Sequence, residues 1–162
     1  MKKRPMSIAI ALLLTTLLSS AMLAAPASAE NIFIKGSLQA VETSAGDFPT
    51  ISVDGSGWGT VTNLGQCIVS YEVEVNIPDS GGPASIQFIV ANGDSFSGAG
   101  PGQATSTETD NVVTIVEEYE INGGTGRFAG ATGSITVKRV LHQLTGVTSG
   151  TIQGTIVLPK GK

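Results

Sequence analysis

The sequence predicts an all-β fold, either an antiparallel sandwich or a barrel, and three observations support this. After the N-terminal apolar stretch, no segment repeats its apolar residues with a helical period. Short runs rich in Val, Ile and Thr recur instead, as is typical of strands. Gly, Pro, Asn and Asp separate these runs, which fall at residues 31–42, 51–62, 67–77, 84–92, 94–100, 109–121, 133–141 and 149–158.

Residues 1–29 have the pattern of a cleaved secretory signal. A basic start at Lys2 is followed by an apolar stretch from about Met6 to Leu23 and by the small-residue site Ala27-Ser-Ala29. An uncleaved membrane anchor is the weaker alternative, because Ser, Thr and Pro interrupt the apolar stretch. We therefore expect an exported protein with one domain, residues 30–162, in the periplasm, at the cell surface or in the medium.

The domain that remains after cleavage is acidic. It keeps six basic and thirteen acidic residues, a net charge of −7. Such a surface suits neither nucleic acid nor anionic lipid, so neither a nucleic acid nor a membrane is an expected partner. All thirteen acids precede residue 121, whereas five of the six bases follow it. This separation favours pairing of the late strands with the acidic earlier strands.

The second and third runs contain the candidate ligand contacts, Trp58 and Tyr71. Glycines surround Trp58 in Gly55-Ser-Gly-Trp-Gly59, and they either expose its ring as a platform for a sugar or let it pack against nearby backbone. Alternation places Tyr71 on the same face as Cys67, which we expect to point inward. Cys67, the only cysteine, is expected to be a small buried hydrophobe without a disulfide partner, and no Cys–His spacing indicates a catalytic thiol.

A tight hairpin is predicted between the fourth and fifth runs, at Ala91-Asn-Gly-Asp94. Asn-Gly tolerates the positive φ values that both central residues of a type I′ turn require. We therefore expect a two-residue loop here.

The sixth and seventh runs each have one mostly apolar face, which we expect to point inward. These faces contain Val113, Ile115, Glu117, Tyr119 and Ile121 in one run and Ile135, Val137, Arg139 and Leu141 in the other. Antiparallel pairing that keeps both faces on one side allows only registers that differ by two residues. One such register places Glu117 opposite Arg139, Tyr119 opposite Val137 and Ile121 opposite Ile135, and it predicts an ion pair that faces the interior near one end.

Glu117, Arg139 and Tyr119 are the candidate catalytic residues. Either the ion pair is structural and contributes little net stability, or it forms a polar floor in an apolar pocket, to which Tyr119 adds a hydroxyl group. In the second case Glu117 would act as a general base if burial raised its pKa toward the working pH.

The segment from Ile121 to Val137 predicts a tight glycine-rich turn, because glycine enters positive-φ conformations without steric cost. The residues assigned to this turn are Gly123, Gly124, Gly126, Phe128, Gly130 and Gly133. Part of the turn matches a dinucleotide-binding pattern, but a β run follows where that pattern needs a helix, and no acidic residue lies downstream. No cofactor is therefore expected, and one histidine with one cysteine supplies no metal site.

Residues 122–133, Asn-Gly-Gly-Thr-Gly-Arg-Phe-Ala-Gly-Ala-Thr-Gly, resemble the allene oxide cyclase-like and dirigent-like barrels. Three further stretches resemble the same group, and in particular its small exported bacterial members: 55–65, 91–94 and 154–156. The resemblance implies a calycin-related, eight-stranded antiparallel barrel whose glycine-rich turn closes one end, with Phe128 as its plug. It also implies that any chemistry takes place in the lumen without a cofactor.

Three functions are consistent with these features. The leading prediction is an exported barrel that binds a small apolar or aromatic molecule, or a cell-surface component, without catalysis. The alternatives are a cofactor-free cyclase or isomerase that uses lumen residues, and a structural secreted protein whose barrel is filled by side chains. Related barrels often assemble through their outer faces, so the resemblance also implies that a homo-oligomer can form.

Overall fold

The computed structural model describes residues 29–159, which form one all-β unit. The predicted secretory signal lies outside the described residues, apart from Ala29. The strands are β1 (Glu30–Asp47), β2 (Thr50–Val61), β3 (Gly65–Asn76), β4 (Gly81–Val90), β5 (Ser95–Ser106), β6 (Val112–Gly124), β7 (Thr132–His142) and β8 (Val147–Leu158). A 3-10 turn, Gly126–Phe128, lies between β6 and β7.

The eight strands form a closed antiparallel barrel in which each strand pairs with the next and β8 pairs with β1. The prediction of eight strands is confirmed, and of the two predicted architectures the barrel is the one found. Closure leaves no strand edge without a partner, so the backbone hydrogen bonds are satisfied around the ring. Because side chains alternate between the two faces, each strand contributes every second residue to the lumen.

Three strands extend clearly beyond the predicted runs: β1 at its end, β4 at its start and β5 at its end. The extensions of β4 and β5 contain Pro and Gly, which indicate a loop when the sequence is considered alone. In the barrel, Pro83 and Pro101 lie directly opposite each other, so both missing N–H donors fall at one position of the ladder. Gly100 lies where a Cβ atom would overlap the carbonyl oxygen of Glu118 on β6, so glycine lets the two strands approach there.

The register predicted for β6 and β7 is wrong by two residues. Tyr119 lies opposite Ile135, Glu117 opposite Val137 and Ile115 opposite Arg139. The predicted inward faces are correct, because a shift of two residues keeps every side chain on its original face. Glu117 and Arg139 are therefore diagonal neighbours, a distance that a long arginine side chain spans.

The hairpin between β4 and β5 is present, but its predicted turn type is wrong. Only Gly93 has a positive φ, of 89°, whereas a type I′ turn also needs one at Asn92. The N–H of Gly93 donates to the carbonyl of Val90, and the N–H of Val90 donates to the carbonyl of Asp94. The loop therefore has three residues, with glycine in the left-handed position.

One end of the barrel, where β1 begins, β8 ends and the glycine-rich turn lies, is filled by aromatic side chains. We call it the closed end. Phe88 and Phe96 stack with their ring centroids 4.8 Å apart, and the Phe128 centroid lies 5.1 Å from that of Phe96. Phe128 is fully buried, and the glycine-rich turn directs it inward. At Gly126, where φ is 54°, a Cβ atom would overlap the Asp94 carboxylate, which accepts a hydrogen bond from the Arg127 N–H.

We expect the substitution Phe128→Ala to lower the free energy of unfolding by about 3–5 kcal/mol, because it empties a buried aromatic site. Phe33→Ala is the matched control, since Phe33 is 69% exposed on β1. We expect that control to stay within about 0.5 kcal/mol of the wild type in urea unfolding. Equal losses for the two variants would show that Phe128 does not hold the closed end.

Candidate functional site

The lumen contains a cavity of about 420 Å³ at the end opposite the aromatic core. We call this the open end; the β1–β2, β3–β4, β5–β6 and β7–β8 turns surround it. Most of the wall is apolar and includes Ile51 and Val53 on β2, Val73 and Val75 on β3, and Val113 and Ile115 on β6. Exposed polar residues next to the turns, Ser80, Gln103, Ser106 and Gln143, also line the cavity. The lumen is therefore filled at one end and hollow at the other.

Glu117 and Arg139 contact each other inside the barrel and line the floor of this cavity. Arg139 donates from Nη2 to Oε1 of Glu117 at 2.7 Å and from Nε to Oε2 at 3.0 Å. The side chains are 2% and 1% exposed, respectively. The pairing is therefore bidentate and shielded from water, the geometry in which a guanidinium binds a carboxylate most strongly.

A third charged residue, Glu42 on β1, completes this cluster and was missed by the sequence analysis. Its Oε1 forms an ion pair with Nη1 of Arg139 and accepts a hydrogen bond from the Tyr71 hydroxyl at 2.6 Å. Nη1 of Arg139 also lies 3.5 Å from the hydroxyl of Thr148. The Arg139 guanidinium carbon lies 4.6 Å from the centroid of the Tyr71 ring, a cation–π distance.

Glycines opposite the polar residues provide the space that this cluster occupies. Gly55 lies between Glu42 and Tyr71 in one row across three strands, and a Cβ atom there would overlap the Tyr71 ring. Gly102 lies opposite Glu117, and Gly150 lies opposite Arg139. A Cβ at Gly102 would lie 3.1 Å from Cγ of Glu117, and one at Gly150 would lie 2.6 Å from Cβ of Arg139. An inward glycine beside an inward polar residue was thus the sequence signal for this site.

Burial and neighbouring charges shift the pKa values of the cluster. Loss of solvation raises the pKa of Glu42 above its ordinary value, and the nearby positive charge of Arg139 only partly opposes this. Burial also raises the pKa of the Tyr71 phenol well above its ordinary range. For Arg139, burial alone would lower the pKa, but the hydrogen bonds and charge of Glu117 outweigh it and raise the pKa. Arg139 is thus held as a cation.

Glu42, rather than Glu117, has the carboxylate that is free to react with a ligand. Both oxygens of Glu117 accept hydrogen bonds from Arg139. Oε2 of Glu42 accepts no hydrogen bond from residues 29–159, and Glu42 lines the cavity. The floor therefore offers a ligand one free carboxylate oxygen, and the raised pKa of Glu42 lets that group exchange a proton nearer to neutral pH.

The two tyrosines and the tryptophan lie outside the cavity wall. Tyr119 is buried, and burial raises the pKa of its phenol; its hydroxyl has no hydrogen-bond partner within residues 29–159. Tyr71 supports Glu42 from beside the cavity. Trp58 is 63% exposed on the outer face of β2, next to Ile68 on β3, so its ring is not packed against backbone and does not contact the lumen.

Cys67 is buried as predicted, and burial raises the pKa of its thiol. Its Sγ lies 3.6 Å from the carbonyl oxygen of Gly59, and no disulfide partner is present in the described part of the chain. His142 is exposed at the end of β7. A raised thiol pKa disfavours the reactive thiolate, so the geometry assigns Cys67 to the core.

Among residues 29–159, no helix has the length and apolar character needed to cross a membrane. Within the same range, no three His, Cys, Asp or Glu side chains converge as metal ligands would. No protein-family model, curated protein sequence or solved structure matches the chain. Function is therefore inferred from the cavity and its charged floor.

We expect Arg139→Met to lower the free energy of unfolding by about 3–5 kcal/mol at neutral pH, because it leaves two buried carboxylates without a cation. The matched control is Lys138→Met, which removes the same charge from an exposed position on the same strand. Urea unfolding of both variants tests this expectation. A loss no larger for Arg139→Met than for Lys138→Met would show that the cluster is not stabilised by its cation.

The raised pKa of Glu42 predicts a particular pH dependence of stability. The folded chain holds this proton more tightly than the unfolded chain, so the contribution of Glu42 is complete below its ordinary pKa of 4.5 and is lost as the pH rises through the raised value. Glu42→Gln has no such titration. We expect the free energy of unfolding of the wild type, minus that of the variant, to fall as the pH rises from the ordinary value of 4.5 toward and through the raised pKa of Glu42.

Urea unfolding of both proteins across this range measures that difference. Arg139, Glu117 and Tyr71, which face Glu42, are present in both proteins. A difference that rises with pH would mean that the attraction of Arg139 outweighs the burial of Glu42.

Proposed function

We propose that this protein binds a small apolar or aromatic molecule in the open end of its barrel. The observation that carries the proposal is the cavity of about 420 Å³ with an apolar wall and a charged floor. Small-molecule sites have volumes of roughly 300–1,000 Å³ and combine an apolar lining with a few polar groups that orient the ligand. The wall would supply affinity and the Glu42–Arg139–Glu117 floor would supply orientation.

The proposal includes a finer assignment of the fold and the location. We infer a calycin-related barrel of the allene oxide cyclase-like and dirigent-like group, supported by the glycine-rich turn at residues 122–133 that directs Phe128 into the closed end. The pattern of residues 1–29 supports export. The acidic domain disfavours nucleic acid and anionic lipid as partners. The exposed apolar pair Trp58 and Ile68 on the outer wall supports self-association.

A second candidate function is a cofactor-free cyclase or isomerase, and the geometry of Glu42 favours it. A carboxyl group with a raised pKa and a free oxygen facing a cavity suits proton transfer to or from a bound molecule. In this version Glu42 replaces Glu117 as the acid–base group, and Arg139 holds it in place. Native mass spectrometry of protein from its own host would identify the bound molecule. Conversion of that molecule by the wild type but not by Glu42→Gln would establish catalysis.

We expect methoxynaphthalene, a neutral aromatic probe, to bind the wild type in isothermal titration calorimetry. Val53→Trp should weaken this binding at least about tenfold, because the larger ring occupies the cavity. The matched control is Ser52→Trp, which adds the same ring at an exposed neighbouring position on β2 and should leave binding unchanged. Absence of binding to the wild type would favour the structural alternative, and equal binding by both variants would place the probe outside the lumen.

A further inference from the structure

The charges on the cavity floor do not balance. Two carboxylates, from Glu42 and Glu117, share the single guanidinium of Arg139. Of the residues in the described range that line the cavity, Arg139 is the only cation. The floor therefore has a charge of −1 when both carboxylates are ionised. Burial makes an uncompensated charge unfavourable, because little solvent remains to stabilise it.

Most of the hydrogen-bond donors on the floor are already used within the protein, including four of the five N–H groups of Arg139. Each guanidinium nitrogen of Arg139 already donates to the protein: Nε and Nη2 to Glu117, and Nη1 to Glu42 and Thr148. The Tyr71 hydroxyl donates to Glu42, and the Tyr71 ring lies against the guanidinium. The carboxylate oxygen that accepts no hydrogen bond within residues 29–159 is Oε2 of Glu42, on a side chain that is 5% exposed and lines the cavity.

We propose that the ligand has a hydrogen-bond donor at its polar end, an amine or a hydroxyl group on an apolar body, and that the cavity discriminates against carboxylates of the same shape. The inference rests on the proposed binding function and specifies the ligand class. An ammonium group at Oε2 of Glu42 neutralises the floor, and a hydroxyl group donates to it without adding charge. A carboxylate adds a second uncompensated negative charge, and the ionised Glu42 beside it has no proton to donate.

The volume of the cavity sets the size of the ligand. An apolar cavity of about 150 Å³ in another protein holds benzene, so a cavity nearly three times larger admits a molecule of about ten to fifteen non-hydrogen atoms. A ten-carbon chain with one polar end group has this size. Decylamine, decanol and decanoate share that chain and differ only in the group that would meet the floor.

Isothermal titration calorimetry of the full chain with these three molecules tests the proposal. At about pH 7.5 we expect decylamine and decanol each to bind at least about tenfold more tightly than decanoate. Tighter binding of decylamine than of decanol would identify a cationic ligand, and equal binding would identify a neutral hydroxyl ligand. Because the protein is acidic, the titrations are repeated at high salt. They are also repeated with the variant Val53→Trp, which must abolish the binding of decylamine.

Two carboxylate variants separate the floor from the surface. Glu42→Gln makes the floor neutral. We expect this variant to reduce the preference for decylamine and decanol over decanoate at least about fivefold. The matched control, Glu118→Gln, removes the same charge from an exposed neighbour of Glu117 and should retain the full preference. If Glu42→Gln does not fold, the wild-type series alone decides the question.

Each contrary outcome has its own meaning. Decanoate binding as tightly as decylamine and decanol would overturn the donor assignment and leave the binding function intact. Failure of all three molecules and of methoxynaphthalene to bind would overturn the binding function itself. A preference equal in Glu42→Gln and in the wild type would show that discrimination does not arise at the floor.

Discussion

The pairing of β1 with β8 is the constraint on which the rest of this structure depends. It closes the sheet, so every inward side chain from eight strands must share one lumen. Without closure, Glu42 on β1 and Arg139 on β7 would lie near opposite edges of an open sheet. With closure, only β8 separates them, and an arginine side chain is long enough to reach across. The ring therefore creates both the cavity and the charge cluster at its floor.

Within the lumen, the variation in side-chain volume decides which positions are filled and which are hollow. Phe88, Phe96 and Phe128 fill the closed end. Valine and isoleucine line the open end and are too short to meet across it, so a cavity remains. At the boundary between the two regions, glycines opposite the cluster give long polar side chains room without loss of neighbouring packing. The polar floor thus lies where the lumen changes from packed to open.

The cluster also shows why stability and function have to be considered together. Burying two carboxylates around one guanidinium is costly, and apolar residues would fill the same space at less cost. The arrangement leaves one carboxylate oxygen facing an apolar cavity, in an environment that raises the pKa of Glu42. Such a group has value for recognition or for proton transfer, and its cost to stability is consistent with a role at a functional site.

The sequence by itself determined the all-β class, the number of strands and the inward faces of β6 and β7, because alternation is a local property of the chain. It also indicated that Glu117 and Arg139 meet inside, since a shift in register by two residues preserves the inward face. Register, turn type and strand ends were decided by the tertiary structure. The left-handed conformation of Gly93 and the inclusion of Pro83 in a strand both depend on how β4 pairs with β5.

The pairing of Glu42 with Arg139 could not be predicted from the sequence. Glu42 lies 97 residues from Arg139 on a strand that does not adjoin β7, and nothing local distinguishes it from an exposed glutamate. Gly55 carried the available signal, but the sequence analysis interpreted it only through its neighbour Trp58, as space to expose that ring or to let it pack against backbone. Pairing of β1, β2 and β3 places Glu42, Gly55 and Tyr71 in one row, and only ring closure brings Arg139 to that row, because contacts between distant strands depend on the whole sheet.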